Sequence, residues 1–336
     1  MEGIRREGIH HRNSVLPSRT HRGEHERPPS QEDRDTSPPH LPARNNCWRF
    51  GRESRTESLC RKYVRGGGHV DFLILCTQSP DYFLPTTACI VQDKLGLPEH
   101  CGAIDINLGC SGYIYGLGLA KGLIESGQAE RVLLLTAETY SKHINPQDHA
   151  TSPLFGDGAS ATLVEAVDTD REGICGLVYG TDGSGFEKLI VPAGGMRHPY
   201  ASTELQEHTD DFGNVRTNRN LYMDGAGIMN FALEVVPPMV DEVLAKSGLT
   251  RTEIDYYVFH QANKMMLGFL QEKCGLQDLP FWNDVADYGN TVSSSIPIAL
   301  ADLLAKNGGE NLRRVMLAGF GVGLSWGGCV VDLTRC

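Results

Sequence analysis

The chain has 336 residues, enough for one large domain or two medium ones with a substantial core, and 40% of its residues are hydrophobic. Its net charge of -11 is unevenly spread: residues 1–68 carry +5, from 14 basic and 9 acidic residues, and the remainder carries −16, from 17 and 33. Such an acidic body excludes nucleic-acid binding, because phosphate contacts need a basic surface.

Ten cysteines and twelve histidines raise the question of disulfides, metals or redox chemistry. No two cysteines have CxxC spacing and no Cys/His group has zinc-ligand spacing, so we expect no metal and no cofactor. The chain opens with charged residues instead of an apolar signal segment, and no stretch is apolar enough to span a membrane. We therefore expect a cytoplasmic protein with reduced thiols and no membrane contact.

The first 68 residues differ in composition from the rest of the chain. They are rich in Arg, His, Ser, Pro and Glu, show neither helical nor strand periodicity, and end in Gly66-Gly67-Gly68. Such a segment cannot bury enough apolar surface to offset its ordering entropy. We predict a mostly unstructured extension over residues 1–68, a first half over 69–220 and a second half over 221–336.

From His69 onward, apolar strands alternate with helical patterns, which favours α/β layers. The predicted strands are Val70–Cys76, Val132–Thr136, Ala159–Glu165, Asp255–Phe259, Arg314–Ala318 and Ser325–Leu333. The predicted helices are Thr87–Leu95, Gly112–Ser126, Ile228–Ser247, Lys264–Glu272 and Ser294–Lys306.

The pattern also repeats within the chain. The strand around Asp71 resembles the one around Asp255, and the strand from Arg131 resembles the one from Arg314, at offsets of 184 and 183 residues. Two matches at nearly one offset indicate a duplicated unit. The duplication predicts that the first half also has a strand and, at about 45–65, a long helix. No stretch of residues 1–68 has the apolar periodicity of either element.

Cys110 follows an apolar run and precedes a nearly apolar helix, between Gly109 and Gly112. A thiol at a helix N-terminus feels the positive end of the helix dipole, and we expect a lowered pKa that favours the nucleophilic thiolate. A packing cysteine is an equally good interpretation of this motif alone.

His260 ends a strand, where α/β sheets place functional groups, although a structural histidine fits the same position. Asn290 precedes a helix, where an asparagine is usually a cap. The duplication places Cys110 and Asn290 in corresponding loops, with His260 at the end of the first strand of the second copy. A nucleophile with two hydrogen-bonding partners is then expected where these loops meet.

The Gly-rich turn Gly319–Gly323 lacks the glycine spacing of a dinucleotide-binding loop, and only 13 residues follow it. A tight turn that offers backbone N–H groups to an oxyanion is the better interpretation.

These segments together resemble the beta-ketoacyl-acyl-carrier-protein synthase III family of the thiolase superfamily, from about Val70 to Leu333. The resemblance is carried by segments 81–89, 105–112, 154–159, 191–195, 260–263, 289–291 and 319–327, which stand in the family's order. It implies a five-layered αβαβα thiolase fold, in two duplicated halves, and a homodimer.

The resemblance also implies roles for single residues. Cys110 takes an acyl group from acyl-CoA, and His260 and Asn290 hold the thioester carbonyl of malonyl-acyl carrier protein during decarboxylation. The backbone N–H groups of Cys110 and Val322 form the oxyanion site. The resemblance places Leu84, which gates the acyl site across the dimer, and Phe320 at the acyl substrate. It places the acyl carrier protein at Gln261, Ala262, Asn263, Lys264 and Met265.

Two other functions stay open on the sequence alone. One is a related thioester enzyme, such as a hydroxymethylglutaryl-CoA synthase or a plain acyltransferase, the first of which needs a carboxylate base near Cys110. The other is an inactive member of the family, because residues 1–68 do not match the family's first strand, first helix and part of its CoA-binding surface.

Overall fold

A computed structural model describes residues 13–17, 69–168, 172–307 and 312–333 of the chain. The strands, in chain order, are β1 Asn13–Pro17, β2 Phe72–Cys76, β3 Gly102–Ile106, β4 Arg131–Glu138, β5 Gly158–Asp168, β6 Ile174–Thr181, β7 Leu189–Ile190, β8 Glu207–Thr209, β9 Val215–Thr217, β10 Tyr222–Met223, β11 Tyr256–Phe259, β12 Phe281–Trp282, β13 Arg314–Gly321 and β14 Ser325–Asp332. The α-helices are α1 Thr87–Leu95, α2 Gly112–Glu125, α3 Gly225–Ser247, α4 Lys264–Lys273, α5 Val285–Tyr288 and α6 Ser295–Lys306.

Two five-stranded sheets have the same strand order. The first runs β1-β5-β4-β2-β3 and the second runs β6-β14-β13-β11-β12. In the first sheet β2 and β4 are parallel, with Phe72 beside Val132. In the second sheet β11 and β13 are parallel, with Tyr256 beside Val315. The next strand, β5 or β14, returns antiparallel. The duplication predicted from the offsets is therefore confirmed strand by strand.

Five layers follow from the way alternate side chains on each strand point to opposite faces. On β2, Leu73 and Leu75 pack with α1 on one side, whereas Ile74 packs with α2 and α6 on the other. On β13, Leu317 shares that central helical layer, and Met316 packs with α3 and α4 on the outer side. The order is helix, sheet, helices, sheet, helices, which is the expected thiolase-like αβαβα fold.

The N-terminal expectation was wrong in one respect. Asn13–Pro17 forms β1, a strand that the sequence analysis did not find, and it pairs antiparallel with β5 at one edge of the first sheet. β1 stands in the first sheet where β6 stands in the second, so it is the missing strand of the first copy. The rest of the predicted unstructured segment, with the helix expected at about 45–65, lies outside the described residues.

Seven other strands were missed, namely β3, β6, β7, β8, β9, β10 and β12, and one boundary changes. β3 is a half-buried edge strand with no apolar run, and β6 begins in a stretch that reads as a Gly-rich loop. Because β6 pairs with β14, the second sheet begins near Ile174, and the predicted boundary between residues 220 and 221 does not divide the sheets. Among the described residues, no helix is long and apolar enough to cross a membrane.

Candidate active site

Cys110 lies directly before α2, in the layer between the two sheets, and is 4% exposed. The second half packs against it through glycines. A methyl group built on Gly321 would lie 2.8 Å from the Cys110 sulfur, and one on Gly319 would lie 2.8 Å from the Cys110 carbonyl oxygen. Any larger residue at either position would displace the thiol or its loop, so the backbone of β13 forms one wall of the site.

His260 follows β11 and is buried, with its ring edge-on to Phe320 at 5.6 Å between centroids. Its Nδ1 lies 2.6 Å from the Ser295 hydroxyl oxygen, and that hydroxyl donates its own hydrogen to the Val292 carbonyl at 2.9 Å. The Ser295 oxygen must therefore accept from Nδ1–H, which leaves Nε2 with a lone pair. Burial lowers the pKa of His260 to about 3, so the ring is neutral at physiological pH.

Asn290 is held at both its backbone and its side chain. Its backbone N–H donates to the Leu154 carbonyl, and its carbonyl accepts from Gly156 N–H, each at 2.9 Å. Its Oδ1 accepts from Val292 N–H at 2.9 Å. With Oδ1 occupied, the hydrogens on Nδ2, for which the described part of the chain shows no acceptor, are left for a ligand.

The electrostatics of the Cys110 thiol contradict the expected low pKa. Burial raises the pKa of Cys110 to about 12, against the hydrogen bonds of the Val322 and Cys110 backbone N–H groups and with a smaller upward contribution from Glu138. The helix N-terminus does not outweigh desolvation here, so the resting thiol is protonated and its attack needs a base. The same two N–H groups are the predicted oxyanion donors.

Glu138 is a component of the site that the sequence analysis missed. It ends β4 and is fully buried, where Ser293 donates to Oε1 at 2.7 Å, Ser79 donates to Oε2 at 3.2 Å and Gln78 N–H reaches both oxygens. Burial raises the pKa of Glu138 to about 8, although these donors lower it. A carboxylate at the end of an otherwise apolar strand was the available signal.

Comparison with known proteins agrees with this geometry. The 3-Oxoacyl-[acyl-carrier-protein (ACP)] synthase III family matches residues 104–183, and its C-terminal family matches residues 244–333. The Caldanaerobacter subterraneus subsp. tengcongensis beta-ketoacyl-[acyl-carrier-protein] synthase III is 38% identical over 266 residues, which cover 79% of this chain and 77% of that protein.

The chain belongs to the 3-oxoacyl-[acyl-carrier-protein] synthase III family. A crystal structure of a 3-oxoacyl-(acyl-carrier-protein) synthase III superposes with a TM-score of 0.78 at 50% identity, covering 82% of this chain and 83% of that one. The Burkholderia xenovorans LB400 3-oxoacyl-(acyl-carrier protein) synthase superposes with a TM-score of 0.73 at 36% identity, covering 84% and 81%. The chain is accordingly an acyltransferase-type condensing enzyme with the thiolase-like fold.

The remaining residues that the synthase III resemblance singled out fall into two environments. Phe320 is buried against His260. Leu84 is 79% exposed, on a loop where Tyr82 and Phe83 are exposed as well. This loop, Tyr82–Leu84, is an exposed apolar surface between β2 and α1.

The five residues assigned to the carrier protein divide in the same way. Gln261 is buried, where it donates to the Phe259 carbonyl at 2.8 Å and accepts from Asp284 N–H at 3.0 Å, so its side chain cannot reach a partner protein. Asn263 caps α4 by accepting from Met266 N–H, and Ala262 is half-buried. Only Lys264 and Met265 present exposed side chains.

Proposed function

We propose that this chain catalyses the decarboxylating condensation of an acyl-CoA with malonyl-acyl carrier protein, through an acyl group held on Cys110. The observation that carries the proposal is that adjacent residues of β13 contact both Cys110 and His260: a methyl group on Gly321 would lie 2.8 Å from the Cys110 sulfur, and Phe320 packs against the His260 ring. The backbone N–H groups of Cys110 and Val322 serve the acyl carbonyl, while Asn290 Nδ2 and His260 Nε2 serve a second thioester.

In the first step, Cys110 attacks the acyl-CoA carbonyl. Because the resting thiol is protonated and Nε2 of His260 carries a lone pair, the thiol proton passes to Nε2 as the sulfur–carbon bond forms. The carbonyl oxygen becomes an oxyanion that the two backbone donors stabilise where it forms. CoA leaves as its thiolate and takes the proton back from Nε2, which leaves acyl-Cys110 and neutral His260.

In the second step, malonyl-acyl carrier protein loses CO2. The charge that builds on its thioester oxygen is stabilised by Nδ2–H of Asn290. The same negative charge raises the proton affinity of His260 Nε2, which takes a proton from solvent and donates it in a hydrogen bond to that oxygen. The carbanion attacks the acyl carbon, and the Cys110 thiolate departs and recovers its proton from Nε2.

The partners in this proposal are acyl-CoA, malonyl-acyl carrier protein and a second copy of the chain. The exposed Lys264 and Met265 near the His260 loop support carrier-protein docking there, and the apolar loop Tyr82–Leu84 supports a homodimer with Leu84 at the neighbouring acyl site. Free thiols at all seven cysteines among the described residues support a reducing, cytoplasmic location.

The alternative of a hydroxymethylglutaryl-CoA synthase needs a free carboxylate base at the nucleophile. Glu138 acts electrostatically on Cys110, but its oxygens are buried and bonded to Ser293, Ser79 and Gln78, which makes it unsuited to that role.

The test is purified enzyme given acyl-CoA and malonyl-acyl carrier protein, with peptide mass mapping after the first substrate and product mass after the second. We expect acyl label on Cys110 alone, then CO2 release and a 3-oxoacyl product. Label on Cys101 or Cys274 with none on Cys110 would overturn the mechanism. Acyl transfer without CO2 release would instead indicate a plain acyltransferase, and an inert folded protein would indicate an inactive family member.

A further inference from the structure

Val292 is the point at which the supports of the two catalytic partners meet. Its N–H donates to Asn290 Oδ1 and its carbonyl accepts from Ser295, whose hydroxyl oxygen in turn holds His260 Nδ1. A displacement of the Val292 peptide groups would therefore move the donors of both Asn290 and His260.

The backbone at Val292 is also strained. Its φ is 54°, in the left-handed region, although it is a β-branched residue and fully buried. A β-branched side chain at positive φ is strained and persists only where the surroundings over-determine it. Something adjacent must hold this turn.

Glu138 makes such a contact from the other half of the chain. Its carboxylate accepts the Ser293 hydroxyl at 2.7 Å, one residue beyond Val292, and is itself fixed by Ser79 and by Gln78 N–H. Gln78 in turn lies against the loop of the nucleophile, since a methyl group on Gly109 would meet Gln78 Oε1 and Val322 Cγ1, each at 2.6 Å, and Val292 Cγ1 at 3.2 Å. The Glu138 carboxylate is thus bonded to Ser293, next to Val292, and to Gln78 N–H. Both Val292 and Gln78 lie against Gly109 in the Cys110 loop.

Other contacts hold the flanks of the turn. Asn290 is bonded through its backbone to Leu154 and Gly156, and Ser294 is bonded to Thr136 and Gly158. These contacts keep the segment attached when the Glu138 contact is lost, so its loss should shift the turn without unfolding it.

We propose that Glu138 is a positioning residue for the condensation: through Ser293 it fixes the Val292 turn, and through that turn it aligns Asn290 Nδ2 and His260 Nε2 with the malonyl thioester. This inference rests on the proposed function. Glu138 itself touches no substrate, because its oxygens are buried and occupied by protein donors.

The test uses Ser293→Ala, Glu138→Gln and their double variant, with Ser79→Ala as the matched control. Ser79→Ala also removes one hydroxyl from the Glu138 carboxylate, but from Oε2, whereas Ser293 bonds Oε1. Because a displacement of about 1 Å can cost about 10²-fold, we expect Ser293→Ala and Glu138→Gln each to lower condensation about 10–100-fold. The double variant should be no worse than the more affected single one, since both break one connection.

Acylation of Cys110 should fall less than condensation in these variants, because it uses His260 but not Asn290. A second measurement does not depend on activity: the NMR resonances of the Asn290 side-chain amide, assigned by their loss in Asn290→Ala. They should shift in Ser293→Ala and Glu138→Gln and stay in place in Ser79→Ala.

Unchanged Asn290 resonances in Ser293→Ala, or equal effects of Ser293→Ala and Ser79→Ala on condensation, would overturn the role of Glu138. If the wild-type enzyme acylates Cys110 but releases no CO2, the proposed condensation fails, and the NMR comparison still decides whether Glu138 fixes the turn.

Discussion

Removing the Ser295 hydroxyl tests the protonation state assigned to His260. In Ser295→Ala, the buried Nδ1–H loses its 2.6 Å acceptor and the Val292 carbonyl loses its 2.9 Å donor. Leaving one buried donor unsatisfied costs about 1–3 kcal/mol. If this cost disfavours the ring orientation that the reaction needs, the rate falls about tenfold for each 1.36 kcal/mol. We therefore expect acylation and condensation each to fall by roughly 5–150-fold.

The same change should alter which ring nitrogen carries the proton. With no acceptor at Nδ1, the tautomer with a proton on Nε2 becomes competitive, and that tautomer cannot accept the Cys110 proton. Nitrogen NMR of labelled histidine should show Nδ1–H in the wild type and a mixture of tautomers in Ser295→Ala. Stopped-time mass measurement of acyl-Cys110, with separate assay of CO2 release, gives the two rates.

Ser294→Ala provides the control for this experiment. Ser294 is the neighbouring buried serine, and it bonds Thr136 and the Gly158 carbonyl instead of the histidine. We expect a comparable loss of stability in Ser294→Ala with the imidazole tautomer unchanged. An acylation rate in Ser295→Ala within about twofold of the wild-type rate would refute the role of Nε2 as the base, because loss of the hydrogen bond should lower the rate by more than that.

Three further predictions follow from the site. Asn290→Ala should lower condensation about 10²–10³-fold and leave acylation unchanged, whereas His260→Ala should lower both; equal loss of acylation in the two variants, measured by single-turnover mass spectrometry, would contradict this division. Gly321→Ala should abolish labelling of the nucleophile by acyl-CoA, because its methyl group would lie 2.8 Å from the sulfur, while Gly195→Ala, with open space around it, should label normally. Because burial raises the pKa of Glu138 to about 8 from 4.5, its protonated form stabilises the fold below pH 4.5, and this stability is lost as pH rises through 8. In denaturant unfolding, the free energy of unfolding of the wild type minus that of Glu138→Gln should therefore fall across this pH range. A constant difference would mean that Glu138 does not titrate there.

The repeated part of the fold was predictable because it is encoded locally. Apolar runs around Asp71, Asp255 and Arg314 mark strands that are buried on both faces, and α1 was predicted with its observed ends. The edge strands were not predictable in this way. β3 has little buried surface and β1 lies in polar sequence, so both are specified by the backbone groups that neighbouring strands offer rather than by an apolar period.

The side chains proposed as catalytic could be named from the sequence, but their protonation states could not. The position of Cys110 before a helix suggests a thiolate, whereas the structure shows that burial dominates and raises its pKa. Likewise, Nδ1–H on His260 depends on Ser295 and on the Val292 carbonyl, a geometry that requires a turn at positive φ. The role proposed for Glu138 depends on its contact with Ser293, which lies 155 residues away in the sequence. No local sequence pattern reveals such a contact.

The matching strand orders have a consequence for how the two copies divide the work. The spacing that relates the start of α2 to the start of α6 also relates Cys110 to Ser293, so the counterpart of the nucleophile is a serine whose hydroxyl is tied to a carboxylate from the other copy. In the proposed mechanism, the first copy supplies the sulfur, and the second supplies the base, the amide and the Val322 donor. Neither copy expressed as a separate polypeptide should have any activity. Two such fragments, if they reassociated, should regain it only together.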